Sequence, residues 1–267
     1  MIPPHERRIL EAHVRGCRLA QLDLIRLEHP LNEYEDRALK DLIKLRIRGV
    51  PLQYLTNSQA FYGRDFYVNT SVLVPRPETE GLVELVLSQL PAPHSDNQPM
   101  GLDFGTGSGA IALTLGLERA DSFVYASEVS NEALAVAKEN AKSHRVVNTE
   151  FLLVSEEPQL WQYESVPRLD FLVANPPYLV ANDELAADVR EHEPPEALFT
   201  PEHDPLYFYR FLAELAAEKL GPGGFGAFEI AEQRGHETAL VFASKGFNVE
   251  VRKDLTERDR YLLVRRM

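Results

Sequence analysis

The apolar run Leu169 to Ala174 is stopped by Asn175-Pro176-Pro177-Tyr178, and this junction constrains the fold more than any other stretch of the chain. Leu-Asp-Phe-Leu-Val-Ala reads as a short buried strand. Neither proline can donate to a sheet ladder, so the strand ends there. A planar amide, two rigid carbonyls and an aromatic ring then stand at a strand's carboxyl end, where open α/β sheets hold ligands. The Asn175 oxygen and the Pro176 carbonyl can each accept one hydrogen from a planar nitrogen that carries two, and Tyr178 can cover a flat face. Such a nitrogen belongs to an amide or to a nucleobase. Alone, the tetrapeptide favours an ordinary loop. A second motif upstream changes that balance.

Residues 101–117 read Gly-Leu-Asp-Phe-Gly-Thr-Gly-Ser-Gly-Ala-Ile-Ala-Leu-Thr-Leu-Gly-Leu. Met100 to Phe104 suits a short strand, Gly105, Gly107 and Gly109 a tight turn, and Ala110 to Leu117 a helix. The turn, with Thr106 and Ser108 between its glycines, opens a helix N-terminus rich in free N–H groups. The spacing is Gly-x-Gly-x-Gly, which departs from the dinucleotide fingerprint, and Asp103 has no counterpart there. The next strand, Phe123 to Ser127, ends in Glu128, a carboxylate placed to bind a ribose diol. A helix follows, with Ser130 or Asn131 as N-cap and Glu132 in its first turn. Asp103, the glycine turn, Glu128 and Asn175 to Tyr178 fall in the order expected of an S-adenosylmethionine-dependent methyltransferase. Nothing resembles a phosphate-cradling Gly-Lys-Ser/Thr loop.

Further segments make the resemblance specific. They are Pro51-Leu-Gln-Tyr-Leu, Phe61-Tyr-Gly-Arg-Asp-Phe-Tyr-Val68, Val74-Pro-Arg-Pro-Glu-Thr-Glu80, Glu193-Pro with Ala197-Leu, Phe228-Glu-Ile with Gln233, and Asp254-Leu-x-x-Arg-Asp-Arg260. With these the chain resembles the HemK/PrmC family of protein-glutamine methyltransferases over nearly its whole length. The resemblance implies an α/β fold: a Rossmann-like methyltransferase domain with a seven-stranded mixed sheet, preceded by a small helical domain and a β-hairpin linker. It implies methyl transfer from S-adenosylmethionine, leaving S-adenosylhomocysteine, to the side-chain amide of the glutamine in the Gly-Gly-Gln loop of class-1 peptide chain release factors. By position, Asp103, Gly105 to Gly109 and Glu128 would hold the cofactor. Asn175, Pro176, Pro177 and Tyr178 would hold the glutamine amide, with Asn175 close to the methyl donor as well.

The chain departs from the family in places. The third strand ends in Val154-Ser-Glu-Glu-Pro158 without an aromatic beside the acid, so the adenine side falls to Glu157 or Glu156, with Trp161 as a substitute. Asn57 stands where the family commonly has glycine, and Thr200-Pro-Glu-His-Asp-Pro205 replaces a glycine-rich loop. Arg76, between two prolines, is read evenly as a substrate-loop or interdomain contact and as part of a stiff linker, with Glu78 and Glu80 capping the helix that begins there.

The organisation expected is a helical substrate-recognition domain over 1–53, a hairpin linker over 54–75 and a methyltransferase domain over 76–267. Ile9, Ala12, Val14, Leu19, Leu22, Ile25 and Leu27 recur at near-helical spacing, as do Leu39, Leu42, Ile43 and Ile47. The hairpin turns near Gly63-Arg64. Residues 91–99 form a polar loop, 179–205 a mobile substrate-side loop, and 206–220 an amphipathic helix ended by Gly221. Strands follow at 225–230, 247–253 and 260–266.

The net charge of −13 suits a basic protein partner better than nucleic acid, although solubility alone also explains it. The single Cys17 excludes an internal disulfide and is read as buried packing in a reducing cytoplasm. The histidines show no metal spacing; His192 and His203 are read as surface residues. With no apolar run of membrane length and no signal peptide, the expectation is a cytoplasmic monomer without direct nucleic-acid or membrane contact. Three rivals stay open: a glutamine methyltransferase of a large-subunit ribosomal protein, an adenine-amine methyltransferase that flips its base, and a cofactor-binding scaffold without catalysis.

Overall fold

The computed structural model describes residues 2–93, 98–180, 182–201 and 204–266. The chain opens with helices α1 (Pro4–Val14), α2 (Leu22–Glu28), α3 (Glu33–Ile47) and the short α4 (Leu52–Thr56). Asn32 caps α3 through a reciprocal pair with Glu35. These helices share a core of Leu10, Leu39 and Leu55, with Leu42 and Ile43 against it. Several residues expected in that core face solvent instead: Leu19, Leu27 and Ile47 are exposed, as is Leu24. Cys17 is only half-buried. Four short helices enclose too little volume to bury every apolar residue they carry.

The hairpin is shorter than the 54–75 segment assigned to it from sequence. It comprises β1 (Gln59–Phe61) and β2 (Arg64–Phe66), and residue 54 belongs to α4. Its turn residues Tyr62 and Gly63 have φ of 51° and 72°, the left-handed pair that a two-residue hairpin requires. Asn57 ends α4 at φ 50°, with its side chain donating to the Val68 carbonyl. Asparagine tolerates that conformation best after glycine, which accounts for its replacing glycine here. Val68, Val72 and Val74 then pack on Ala133 and Val136.

The rest is a doubly wound unit. In chain order come α5 (Pro77–Gln89), β3 (Met100–Phe104), α6 (Ala110–Glu118), β4 (Phe123–Glu128), α7 (Asn131–His144), β5 (Thr149–Leu153) and β6 (Leu169–Ala174). These are followed by α8 (Ala187–His192), α9 (Tyr207–Lys219), β7 (Leu220–Glu229), α10 (Gly235–Ala243), β8 (Phe247–Lys253) and β9 (Asp259–Arg266). The strand order of the seven-stranded sheet is β5-β4-β3-β6-β7-β9-β8. The first five strands in that order pair in parallel, and β9 pairs antiparallel with both its neighbours. The order of strand addition reverses between β3 and β6, so the crevice opens at their carboxyl ends. One face of the sheet packs on α5 and α6 through Leu82, Val86, Leu113 and Phe171; the other packs on α9 and α10 through Leu102, Leu172, Leu212 and Phe242.

Three local expectations change. β7 begins at Leu220, directly after α9, and absorbs Gly221 to Gly224 as a register shift against β6 between the Leu169 and Phe171 pairings. The glycines therefore bend a strand rather than cap a helix. Glu80 does not cap α5; it accepts the Tyr62 N–H at 2.8 Å and ties the hairpin turn to the helix. The segment after β6, expected to be a mobile loop, is structured over its described residues. It contains α8 and folds back through a bridge between Leu179 and Phe199. His192 is half-buried. The readings placed on His203, on residues 94–97 of the polar loop and on residue 181 lie outside the described residues.

Candidate active site

One cavity of about 840 Å³ runs from the glycine turn to Asn175 at the carboxyl ends of β3, β4 and β6. The turn's glycines have φ of 71°, 54° and 81° at Gly105, Gly107 and Gly109, so each needs the freedom that only glycine has. At Gly105 and Gly107 a Cβ would meet only open space, whereas at Gly109 it would strike Leu113 and Ala137. The first two glycines thus leave room for a ligand, and the third lets α6 pack.

Asp103 is fully buried beneath the turn, outside the cavity lining. Its Oδ2 accepts from the Thr106 hydroxyl at 2.7 Å and from the Ala112 N–H at 3.2 Å. Its Oδ1 has no partner among the described residues. Burial pushes the carboxyl up to about 7, against those two hydrogen bonds. Asp103 therefore shapes the turn from below. The Gly105 and Thr106 N–H groups both donate to the Ser127 carbonyl at 2.9 Å, which locks the turn onto β4.

Glu128 lies on the cavity wall at the tip of β4. One carboxylate oxygen accepts from the Gly107 N–H at 2.8 Å; the other accepts from Val129 and Ser130. The Gly107-bonded oxygen keeps a lone pair for a ribose hydroxyl. Ser130, of the two candidates, is the N-cap of α7. On the adenine side the wall carries Val154 and Glu156, while Glu157 lies outside the lining and Trp161 is exposed.

At the other end, Asn175 and Pro177 line the cavity, while Pro176 is buried and Tyr178 packs against the core beneath β6. An extended segment points successive side chains to opposite sides, which separates the two pairs. Tyr178 therefore backs the segment instead of covering the site, and burial pushes its hydroxyl above the usual range. Asn175 Nδ2 donates to Thr79 Oγ1 at 3.2 Å, leaving Oδ1 as the amide atom that can accept from a ligand.

Arg76 lies at the cavity edge and donates to Glu193 at 2.6 Å. Glu193, buried, also accepts from the Val74 N–H at 3.2 Å. Arg76 and Glu193 thus form a clamp between the linker and the loop after β6. That clamp helps form the walls: linker residues Thr70 to Leu73 line one side, and Pro194 to Ala197 another.

Thr79, Glu229 and Asn140 were not assigned roles from sequence. Thr79 and Glu229 sit within quoted motifs, but nothing local says that they meet. Asn140 did carry a signal. Ala133, Val136, Ala137, Asn140 and Ala141 share the buried face of α7, so a fully buried asparagine stands where an apolar residue is expected. It donates to the Ser108 and Tyr67 carbonyls and accepts the Tyr67 N–H, which joins the glycine turn to the linker.

The residues present suit S-adenosylmethionine: a cradle that a Cβ would fill, a carboxylate for a diol, and a continuous path to Asn175. The fold and the site define an S-adenosylmethionine-dependent methyltransferase. The family model described as Methyltransferase small domain matches residues 82–191. A solved methyltransferase from Pyrococcus furiosus shares the fold, with a TM-score of 0.55 at 18% identity over 86% of this chain and 98% of that one. A release factor glutamine methyltransferase of Bacillus anthracis is 36% identical over 89% of this chain and 84% of its own length. That of Neisseria gonorrhoeae is 37% identical over 98% of this chain and 93% of its own length. The chain belongs to the release factor glutamine methyltransferase family. Among the described residues, no helix is long and apolar enough to cross a membrane.

Proposed function

We propose that this chain methylates the side-chain amide nitrogen of the glutamine in the Gly-Gly-Gln loop of class-1 release factors. The observation that carries this reading is the single cavity joining the glycine turn and Glu128 to an asparagine whose oxygen is left to accept. An amide nitrogen is a poor nucleophile, because its lone pair is delocalised into the carbonyl. Asn175 Oδ1 and the Pro176 carbonyl accept its two hydrogens, raise electron density on nitrogen and aim it. Orientation of this kind supplies roughly 7–11 kcal/mol in the most favourable cases. The same acceptors stabilise positive charge as it develops on nitrogen. When bound, S-adenosylmethionine supplies an electrophilic methyl group on sulfonium. The methylated, cationic amide is acidic enough to lose its proton to water, so no strong base is required beforehand. Gly105 to Gly109 and Glu128 hold the cofactor, Glu156 faces its adenine side, and Arg76 with Glu193 sets the substrate-side wall.

Residues 1–56, which extend the expected 1–53 to the end of α4, are assigned as the substrate-recognition module, 57–75 as the linker and 76–267 as the methyltransferase domain. Support comes from the apolar residues the helical module leaves exposed, Leu24, Leu27, Tyr34 and Ile47. The net charge of −13 fits a basic partner. The test is transfer of a labelled methyl group to a release factor, to the same factor with its Gly-Gly-Gln glutamine changed, and to an unmethylated large ribosomal subunit. Label on the intact factor alone is expected. Label on the ribosomal protein overturns the substrate assignment.

A further inference from the structure

Three segments far apart in sequence meet behind Asn175: the start of α5, the end of β7 and the turn into β9. Thr79 and Glu229 are 5% and 3% exposed. Thr79 Oγ1 donates to Glu229 Oε2 at 2.7 Å and accepts from Asn175 Nδ2 at 3.2 Å. The logic of this relay follows from donor counting. An ionised carboxylate only accepts, and a threonine hydroxyl has one hydrogen. Once that hydrogen is given to Glu229, the Thr79 oxygen can only accept, so Asn175 must turn its NH₂ group toward Thr79. Its oxygen is then the atom left for the substrate. A protonated Glu229 reverses the chain. It donates to Thr79, the Thr79 hydrogen turns to Asn175, and the Asn175 amide presents its donor face to an amide that also donates.

We propose that Thr79 and Glu229 are positioning residues that fix the Asn175 amide with its oxygen toward the substrate nitrogen, and that efficient methyl transfer requires Glu229 in its ionised form. This rests on the reading of Asn175 as the acceptor for a glutamine amide.

The surroundings of Glu229 bear on its charge. Arg76 and Glu78 face it from the start of α5, Tyr178 from the segment after β6, Tyr209 from α9, and Arg260 and Tyr261 from β9. Burial pushes the carboxyl up to about 7, opposed by the Thr79 hydrogen bond and by Arg260. Arg260 is itself held by Asp254, whose Oδ2 accepts from its Nε at 3.1 Å. The Asp254 to Arg260 motif, distant from the cavity in sequence, therefore acts by keeping a cation near Glu229. A carboxyl raised toward neutrality and bonded through Thr79 to Asn175 gives the relay a protonation-dependent direction.

The test compares the unchanged protein with Thr79→Val, Thr79→Ser and Glu229→Gln, using a release factor as substrate at saturating cofactor. Cofactor affinity is measured in parallel by calorimetry. Thr79→Val is expected to lower kcat by about 10- to 100-fold with cofactor affinity unchanged, and Thr79→Ser, which keeps the hydroxyl, to restore most of it. In the unchanged protein kcat is expected to fall as pH drops through about 7, and Glu229→Gln to lose that limb. Full kcat in Thr79→Val, or an unchanged acid limb in Glu229→Gln, overturns the proposal. Should a melting curve show Thr79→Val unfolded, the Glu229→Gln pH profile decides. No label from the unchanged protein overturns the functional reading and this inference with it, whereas label from the unchanged protein with indifferent variants overturns this inference alone.

Discussion

At the glycine-turn end of the cavity, bonded partners are near neighbours in the chain: Asp103 and Thr106 are 3 positions apart, Gly107 and Glu128 are 21. At the Asn175 end they are strangers: Asn175 and Thr79 lie 96 positions apart, Thr79 and Glu229 150, and Arg76 and Glu193 117. Each end also buries a carboxyl pushed up to about 7, Asp103 in one and Glu229 in the other. The contrast teaches how one crevice divides its tasks. A strand, a turn and a helix in sequence form the glycine cradle, and Asn140 then ties it to the linker. The Asn175 amide, by contrast, is held from behind by groups that the finished fold brings together.

The comparison breaks most sharply at Asn175. Asn175→Ala is expected to lower kcat by at least about 10²–10³-fold, the scale for loss of one preorganised polar contact at a reacting centre. Calorimetry with S-adenosylmethionine should find cofactor affinity largely intact. Loss of both together, with the fold preserved, would show that the ends are not separable. Gly105→Val tests the opposite end. A β-branched residue at φ 71° is strained and projects into open cavity space. Cofactor affinity is expected to drop about 10- to 100-fold, the weight of one to three kcal/mol of strain.

Arg76→Ala leaves the buried Glu193 without its cation. The expected cost is about 2 kcal/mol in denaturant unfolding, with the linker and the loop after β6 more open to protease. A change confined to KM for the release factor, with stability untouched, would make Arg76 a substrate contact alone. The smallest effect concerns pH. A carboxyl whose folded pKa is raised binds its proton more tightly in the folded state. Its contribution to stability is therefore fully present below its ordinary range, near 4, and is lost as pH rises through about 7. Asp103→Asn and Glu229→Gln should each flatten the decline in unfolding stability across that window. Only Glu229→Gln should also change the pH profile of kcat, and a matching change in Asp103→Asn would erase the distinction between the ends.

Much of the site was legible because it is written in backbone constraints. The prolines after Ala174 end β6 wherever that strand packs, and the glycine φ angles force a turn whatever surrounds it. The hairpin was legible too, although its turn, read near Gly63-Arg64, falls at Tyr62-Gly63, and the short helix ending at Asn57 was read as part of the linker. Other features were not legible. The exposed Leu27 and Ile47 carry the same helical periodicity as buried Leu39, and periodicity does not say how many neighbours a face will find. The choice of Glu156 over Glu157, and the turning of Tyr178 away from the cavity, depend on a strand's phase against its neighbours. Sequence alone was enough for where β3, β4 and β6 stop and for placing Gly105, Gly107, Glu128 and Asn175 at the crevice, because covalent geometry and steric limits act over a few residues. Tertiary structure was needed to bring together the groups that hold Asn175, to bury Asp103 and Glu229 and so raise their carboxyls to about 7, and to make the linker a wall of the cavity. Those outcomes depend on desolvation and on contacts between residues that the chain itself keeps far apart.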